Sequence, residues 1–349
     1  MATTTVFAQD QGVVCEFIRP MVVTFRQGWV MTVGASHVKQ MHKTGNSLKF
    51  FLIMVATAIL FSAGSAFAVE MPRQGKDILL DTYHRNMARL ERNSFGLPLF
   101  LDSLERDDRV NVDVYGIFEY PFSSVVNMLK VPANWCDIVA LHFNVKACTY
   151  RELPDSWLLT FYTGRKVYQP PEDSSPVIYR YRNVDHQQGY LDIILDADAG
   201  PFGTKNHRMR FEALPLDGSR TFVHVSYAYR DSVALRLAAK VYFATLGRSK
   251  VGFTVIGTDR NGNPVFIGGP RGSIERNAVR YYFAIQSFMN TVRYPEEIRF
   301  NMRISEWYDL TNRYRKQLFE LDKENYLTFK TKEHKNQVIL QRSIGMGLQ

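Results

Sequence analysis

The sequence predicts an α+β fold: a curved antiparallel sheet of about seven strands closed around a long C-terminal helix, with additional helices at both ends. Three observations predict it. Val110–Glu119 reads as a strand, because Val112, Val114 and Phe118 alternate against Asn111, Asp113 and Glu119. Two short helices follow, Pro121–Leu129 and Pro132–Val139, each opened by a proline whose missing N–H costs nothing at a helix start. Leu141–Ala147 then begins a series of strands that ends in a helix-period stretch, Ser273–Val292.

The elements follow in order. Residues 75–92 carry Ile78, Leu79, Tyr83, Met87 and Leu90 at spacings of three and four, which predicts a helix. Phe95–Leu101 reads as an apolar loop and Glu105–Arg109 as a charged run. After the second strand, Trp157–Thr163 is the third, and Pro170–Pro176 is a loop. Strands Val177–Val184 and Tyr190–Leu195 flank a turn centred on His186; symmetric pairing would set Arg180 opposite Asp192 and Arg182 opposite Tyr190. Val177, Tyr179, Tyr181, Leu191, Ile193 and Leu195 then share the inner face. His207–Leu214 and Thr221–Tyr229 flank the hairpin signal Leu216–Ser219. Ser232–Leu246 is helical, with Gly247 placed to end it. Val251–Ile256 and Val265–Ile267 form a small hairpin. Ser273 caps the helix to Val292, and Trp307, Leu310, Tyr314, Leu318 and Leu321 mark another after Pro295. The tail from Lys330 is polar and reads as frayed.

Lys49–Phe61 is an apolar run that ends in Ser62–Ala68, where Ala66 and Ala68 satisfy the small-residue rule for signal peptidase. Cleavage after Ala68 would leave Val69 first; forty residues precede Met41, the natural start for a signal of this kind. The expectation is export, to the periplasm in a bacterium, with an uncleaved membrane anchor from Phe50 to Ala68 as the alternative. Cys15 falls in the leader. Cys136 and Cys148 remain in the folded part, where they form one disulfide or stay as two buried thiols. The net charge of +9 is dispersed, with no run of four Lys or Arg, so nucleic acid is not expected as a partner. The chain divides into a leader (1–68), an N-terminal helix and linker (69–109), the sheet domain (110–295) and a helical extension with a polar tail (296–349).

Chemistry is sparse. Gly268–Gly272 precedes a helix but lacks the Gly-Lys-Ser/Thr ending of a phosphate loop. Asp196 and Asp198 lack the glycine and closing glutamate of a calcium loop. Two cysteines without a suitable His pair make no zinc site, and no cofactor or metal is implied. No Gly-x-Ser-x-Gly elbow exists, so no catalytic residue is assigned. His224 is the imidazole to watch, because it shares a strand face with Phe222 and Ser226.

The order from Val110 to Val292 resembles the StAR-related lipid-transfer (START) domain and the wider helix-grip (SRPBCC) superfamily, which includes polyketide cyclases and plant pollen allergens. Phe118-Glu-Tyr-Pro-Phe122, Trp135 and the strand count carry the likeness over roughly half of the chain. The hairpin at 248–270 and the helices after Pro295 depart from it. The resemblance implies binding of a lipid or other hydrophobic small molecule between sheet and helix, often without catalysis. The pocket residues expected there are Trp135, Tyr179, Tyr181, Phe222, His224, Tyr281 and Ile285. Two other readings stand beside the carrier: a cyclase- or hydrolase-type enzyme using His224 or a nearby Tyr, and a non-catalytic envelope protein. The last expects a filled sheet interior and an exposed partner-binding stripe through Trp307, Leu310 and Tyr314.

Overall fold

The computed structural model describes residues 75–184 and 188–346. Cys15, Met41, the export run, Ala68 and His186 lie outside the described residues. The chain opens with helix α1 (Lys76–Glu91), then strands β1 (Leu99–Arg106) and β2 (Arg109–Phe118). Helices α2 (Phe122–Leu129) and α3 (Pro132–Val139) carry it to the far edge of the sheet, where the meander of β3 (Val145–Leu153), β4 (Ser156–Thr163), β5 (Ser175–Asn183), β6 (Leu191–Ala199), β7 (Lys205–Pro215) and β8 (Thr221–Arg230) begins. Helix α4 (Val233–Ala244) and a hairpin of β9 (Val255–Thr258) and β10 (Pro264–Phe266) precede the long helix α5 (Gly269–Thr291). Helices α6 (Glu296–Asn312), α7 (Arg315–Leu318) and α8 (Lys323–Met346) complete it.

The main sheet has eight antiparallel strands in the order β1-β2-β8-β7-β6-β5-β4-β3, so β2 and β8 are neighbours although the rest of the meander lies between them in sequence. Helix α5 packs across the inner face, a helix-grip arrangement. The alternation that predicted the strands also predicts the core: Val112, Val114, Phe161, Ile193, Phe211 and Val225 are all buried on that face. Close approach of helix and sheet depends on Gly116, where an added Cβ would stand 2.1 Å from the Tyr282 hydroxyl of α5.

Three sequence readings change. Leu99–Arg106 is a strand, not an apolar loop and charged run; it pairs with β2 and adds an eighth member to the sheet. The β5–β6 hairpin is shifted by four residues, setting Arg180 opposite Asp196 and Arg182 opposite Ile194. Gly189, in the connection before β6, has a φ of 73°, which suits glycine. A shift of four preserves every residue's face, so the expected inner set survives. The tail is not frayed. Helix α8 lies along edge strand β3 and covers its unpaired backbone with side-chain amides: Gln337 Oε1 accepts from Cys148 N at 2.7 Å, and Gln341 bonds both Tyr150 N (2.8 Å) and Tyr150 O (2.9 Å).

Candidate functional site

Between sheet and helix the molecule is nearly full. A space of about 10 Å³ remains, bordered by Trp135, Ile138, Phe211, Val225, Tyr281 and Ile285. That is about the room one water requires, and its walls are apolar. Trp135 is fixed there by its indole N–H, which donates to Leu129 O at 2.8 Å. Tyr181 is buried on the same face and donates to Leu129 O and Lys130 O. Cys136 and Cys148 are joined in a disulfide that ties α3 to β3. Of the expected pocket residues, Trp135, Tyr281 and Ile285 therefore border the remaining space, while Tyr179 and Tyr181 are buried in the inner wall.

Phe222 and His224 are corrections. They occupy the alternate positions of β8 and face the outer side, beneath α1. There Leu79, Leu90, Phe100, Tyr115, Tyr190 and Leu214 form a second small core with Phe222. The reason is that β8 is buried on both faces from Thr221 to Ser226, so a buried position on this strand need not be an inner one. His224 is fully buried and bonded at both ring nitrogens: Nδ1 to Glu212 at 2.8 Å and Nε2 to Asp113 at 2.9 Å. Both partners are carboxylates and accept, so the ring carries both protons. Burial opposes that charge, yet the hydrogen bonds and charges of Asp113 and Glu212 raise the pKa to about 9. Tyr190 donates to the other oxygen of Glu212, and Tyr115 stacks on the imidazolium at 4.3 Å. The imidazole has no exposed surface and both its nitrogens are taken, which counts against the His224 enzyme reading.

The inner face has a polar end, of which sequence reasoning named Tyr179 and Tyr281 and missed His207, Tyr227 and Tyr229. Tyr179, Tyr227 and Tyr229 project from β5 and β8, His207 from β7 and Tyr281 from α5. Tyr179 donates to the Tyr227 hydroxyl, and the Tyr227 hydroxyl meets His207 Nδ1 at 3.1 Å. On the other side His207 Nε2 lies 2.8 Å from Thr204 Oγ1, whose own proton goes to Pro201 O. The directions are thereby fixed: Tyr227 donates to Nδ1, and Nε2–H donates to Thr204. Burial holds His207 neutral, with its pKa lowered to about 4, and pushes Tyr227, Tyr229 and Tyr281 above the ordinary phenol value. His142, expected on a strand, sits in the turn before β3 and stacks on Tyr281 at 4.9 Å. Burial, then the charges of Arg280 and Lys330, keep it neutral too. The signal in the sequence was the alternation Val225, Tyr227, Tyr229, but only the sheet order sets those rings beside His207 and Tyr179.

Helix α4 stands next to this end. Ser232 at its start donates to Phe202 O in the turn 201–203 that leads to Thr204, and the helix packs between that turn and α5. None of its residues is buried. An open cleft of about 320 Å³ lies elsewhere, floored by the stacked Phe95 and Phe253 and rimmed by Arg89, Arg92 and Arg271. Arg89 is already engaged by Asp102 at 2.8 Å. Trp307 and Leu310 are buried and Tyr314 is packed against Phe95 and Phe283, so the exposed partner stripe expected there is absent: those side chains complete the core beneath α5. Among the described residues no group of three His, Cys, Asp or Glu is placed to hold a metal, and no helix is long and apolar enough to cross a membrane.

No protein-family model matches the chain, and no curated protein matches it. Among solved structures, a conserved protein from Geobacillus kaustophilus is similar over 52% of this chain and 95% of its own, at 12% identity and a TM-score of 0.31. The Zhui aromatase/cyclase from Streptomyces sp. R1128 is similar over 40% of this chain and 86% of its own, at 13% identity and a TM-score of 0.27. Norcoclaurine synthase from Thalictrum flavum is similar over 42% of this chain and 78% of its own, at 8% identity and a TM-score of 0.28. Likenesses this distant carry nothing about ligand or reaction.

Proposed function

We propose that this chain is an exported, non-catalytic binding or carrier protein for a neutral hydrophobic small molecule, a lipid included. The ligand lies along the inner face at its tyrosine-lined end. One observation carries the reading: a cluster of uncharged aromatic hydroxyls and a neutral imidazole on the inner face, next to a helix without a single buried residue. Such a wall offers apolar area and hydrogen bonds without charge, which suits a molecule with a small polar end. The present gap holds at most about one water, so a ligand enters as α4 moves outward. The reading without catalysis is supported by the occupied nitrogens of His207 and His224. Export is supported by the apolar run before Ala68 and by the Cys136–Cys148 disulfide, a bond that persists in oxidising compartments.

Protein purified from the expressing cell is extracted with solvent for mass spectrometry and titrated with a fluorescent sterol and a fluorescent fatty acid. The reading expects a co-purifying apolar molecule or saturable probe binding that Tyr227→Phe and Tyr281→Phe weaken. No extractable ligand together with no saturable binding of either probe overturns it. N-terminal sequencing of the mature protein is expected to begin at Val69; a retained leader and a cytoplasmic pool overturn the export part.

A further inference from the structure

The insert between β8 and α5 is built to face something other than water. Its base is rigid. Glu275 of α5 is fully buried and accepts from Phe253 N at 2.6 Å, Thr254 N at 2.9 Å and the Thr254 hydroxyl at 2.6 Å. Gly252 N and Ile267 O close the other side at 2.7 Å. Helix α4, by contrast, turns apolar residues outward. Val233, Leu237 and Val241 follow one another at i, i+4 and i+8, and they are 74%, 61% and 61% exposed. Leu246 beyond the helix end is 54% exposed. The stripe continues onto Phe202, 46% exposed, whose carbonyl is bonded by Ser232 at the start of α4. Phe202 has a φ of 59°, a left-handed backbone that is costly for a bulky residue and that here holds an aromatic ring at the surface.

The insert carries two carboxylates, Asp231 and Asp259, and they flank a stretch whose charge has one sign. From Ser232 to Thr258 there is no Asp or Glu, while Arg236, Lys240, Arg248 and Lys250 are cationic. Lys250 is committed to Glu320. Lys240 and Arg248 are exposed beside the apolar stripe. A soluble surface helix normally shows its charges to water and its apolar side to the core; α4 shows water both an apolar stripe and cations. An apolar face bordered by the exposed cations Lys240 and Arg248 matches an anionic bilayer surface, where the acyl boundary takes the aliphatic side chains and lipid phosphates take the cations.

We infer that α4 and the adjoining Phe202 turn dock this protein on an anionic lipid bilayer, with Leu237 and Val241 below the headgroups and Lys240 and Arg248 among them. The inference does not depend on the ligand reading: a protein that binds no ligand would still dock, and a ligand-loaded protein that ignores vesicles would refute docking alone.

Hydrogen exchange of residues 233–246 in the full chain tests it, because that readout is local and blind to attachment through any other segment. Adding vesicles that contain phosphatidylglycerol is expected to slow exchange there, and pure phosphatidylcholine vesicles are expected to leave it unchanged. Leu237→Glu with Val241→Glu should abolish the protection without moving the urea midpoint, since both side chains are already mostly exposed. Lys240→Glu with Arg248→Glu should weaken the apparent vesicle affinity by at least about thirtyfold, from the usual attraction of each surface cation to an anionic leaflet. Unchanged exchange with anionic vesicles overturns the inference. So does equal protection by neutral vesicles, and so does protection that grows with protein concentration without vesicles, which would assign the face to a second copy of the chain.

Discussion

Replacing His224 with glutamine and following stability across pH tests the outer-face network directly. In the folded protein the imidazole is fully buried between Asp113 and Glu212, with a pKa raised to about 9. In the unfolded chain it returns to about 6.5. Between these values the native state holds a proton that the unfolded state has released, so stability falls as pH rises. The contribution is fully present below about pH 6.5 and is lost as pH passes through about 9. Roughly 2.5 pH units at about 1.4 kcal/mol each give a total near 3.5 kcal/mol, of which about 3 falls between pH 6 and pH 10. A bare pH scan hides this, because other groups titrate nearby. His207, lowered to about 4 by burial, adds stability as pH rises toward 6.5. Lys146 and Lys166, each lowered to about 8 by burial, add stability above that pH. The variant keeps all three, so the difference between wild type and His224→Gln isolates the imidazole. Urea denaturation at constant ionic strength should show the wild-type advantage shrinking by about 3 kcal/mol between pH 6 and pH 10. A gap that stays constant or widens would mean a neutral His224 and would refute the imidazolium assignment. If the variant does not fold, the imidazole signals of the wild type report the same pKa by NMR titration.

Other expectations follow from single contacts. Reducing the Cys136–Cys148 bond, or Cys148→Ala, should cost roughly 2–3 kcal/mol from the loop of about a dozen residues that it closes, read as a lower melting temperature. Glu333→Gln leaves Lys146 and Lys330 buried without their shared carboxylate, now 2.9 and 2.7 Å away, and should cost about 3–5 kcal/mol in a urea titration at pH 7. A stability loss under about 1 kcal/mol would show that α8 is held by its glutamines rather than by this pair. Gly116→Ala pushes a methyl group into the Tyr282 hydroxyl and should cost about 1–3 kcal/mol, with Tyr282→Phe restoring part of it; no recovery would place the strain in the backbone instead.

Much of the fold is written locally. The period-two alternation in β2, β4, β5 and β7 and the prolines at the starts of α2 and α3 need no distant partner to be read. The Cys136–Cys148 spacing allows a disulfide or two buried thiols, and the structure joins the two in a disulfide. Even the four-residue error in the β5–β6 hairpin left inner and outer residues unchanged, because side-chain direction repeats every two residues.

Nonlocal pairing decided the rest. His224 shares a strand face with Phe222 and Ser226, and only α1 lying over that face shows it to be the outer one. Asp113 is 111 residues from His224 in sequence and 2.9 Å from it in space, a meeting made by the pairing of β2 with β8. The tail from Lys330 looked frayed because its Lys330, Glu333 and Gln337 are polar; they are buried because the edge strand β3 has backbone groups and buried charges to satisfy. Whether the space beneath the sheet was hollow also lay beyond alternation, since filled and empty interiors share one pattern. The sequence by itself determined which residues form strands and helices and which alternate together, because those choices rest on neighbours along the chain. The tertiary structure decided which face each set meets, that the grip is nearly filled, and that α4 is left with an apolar side toward water, because burial is a property of what packs against a residue and not of the residue alone.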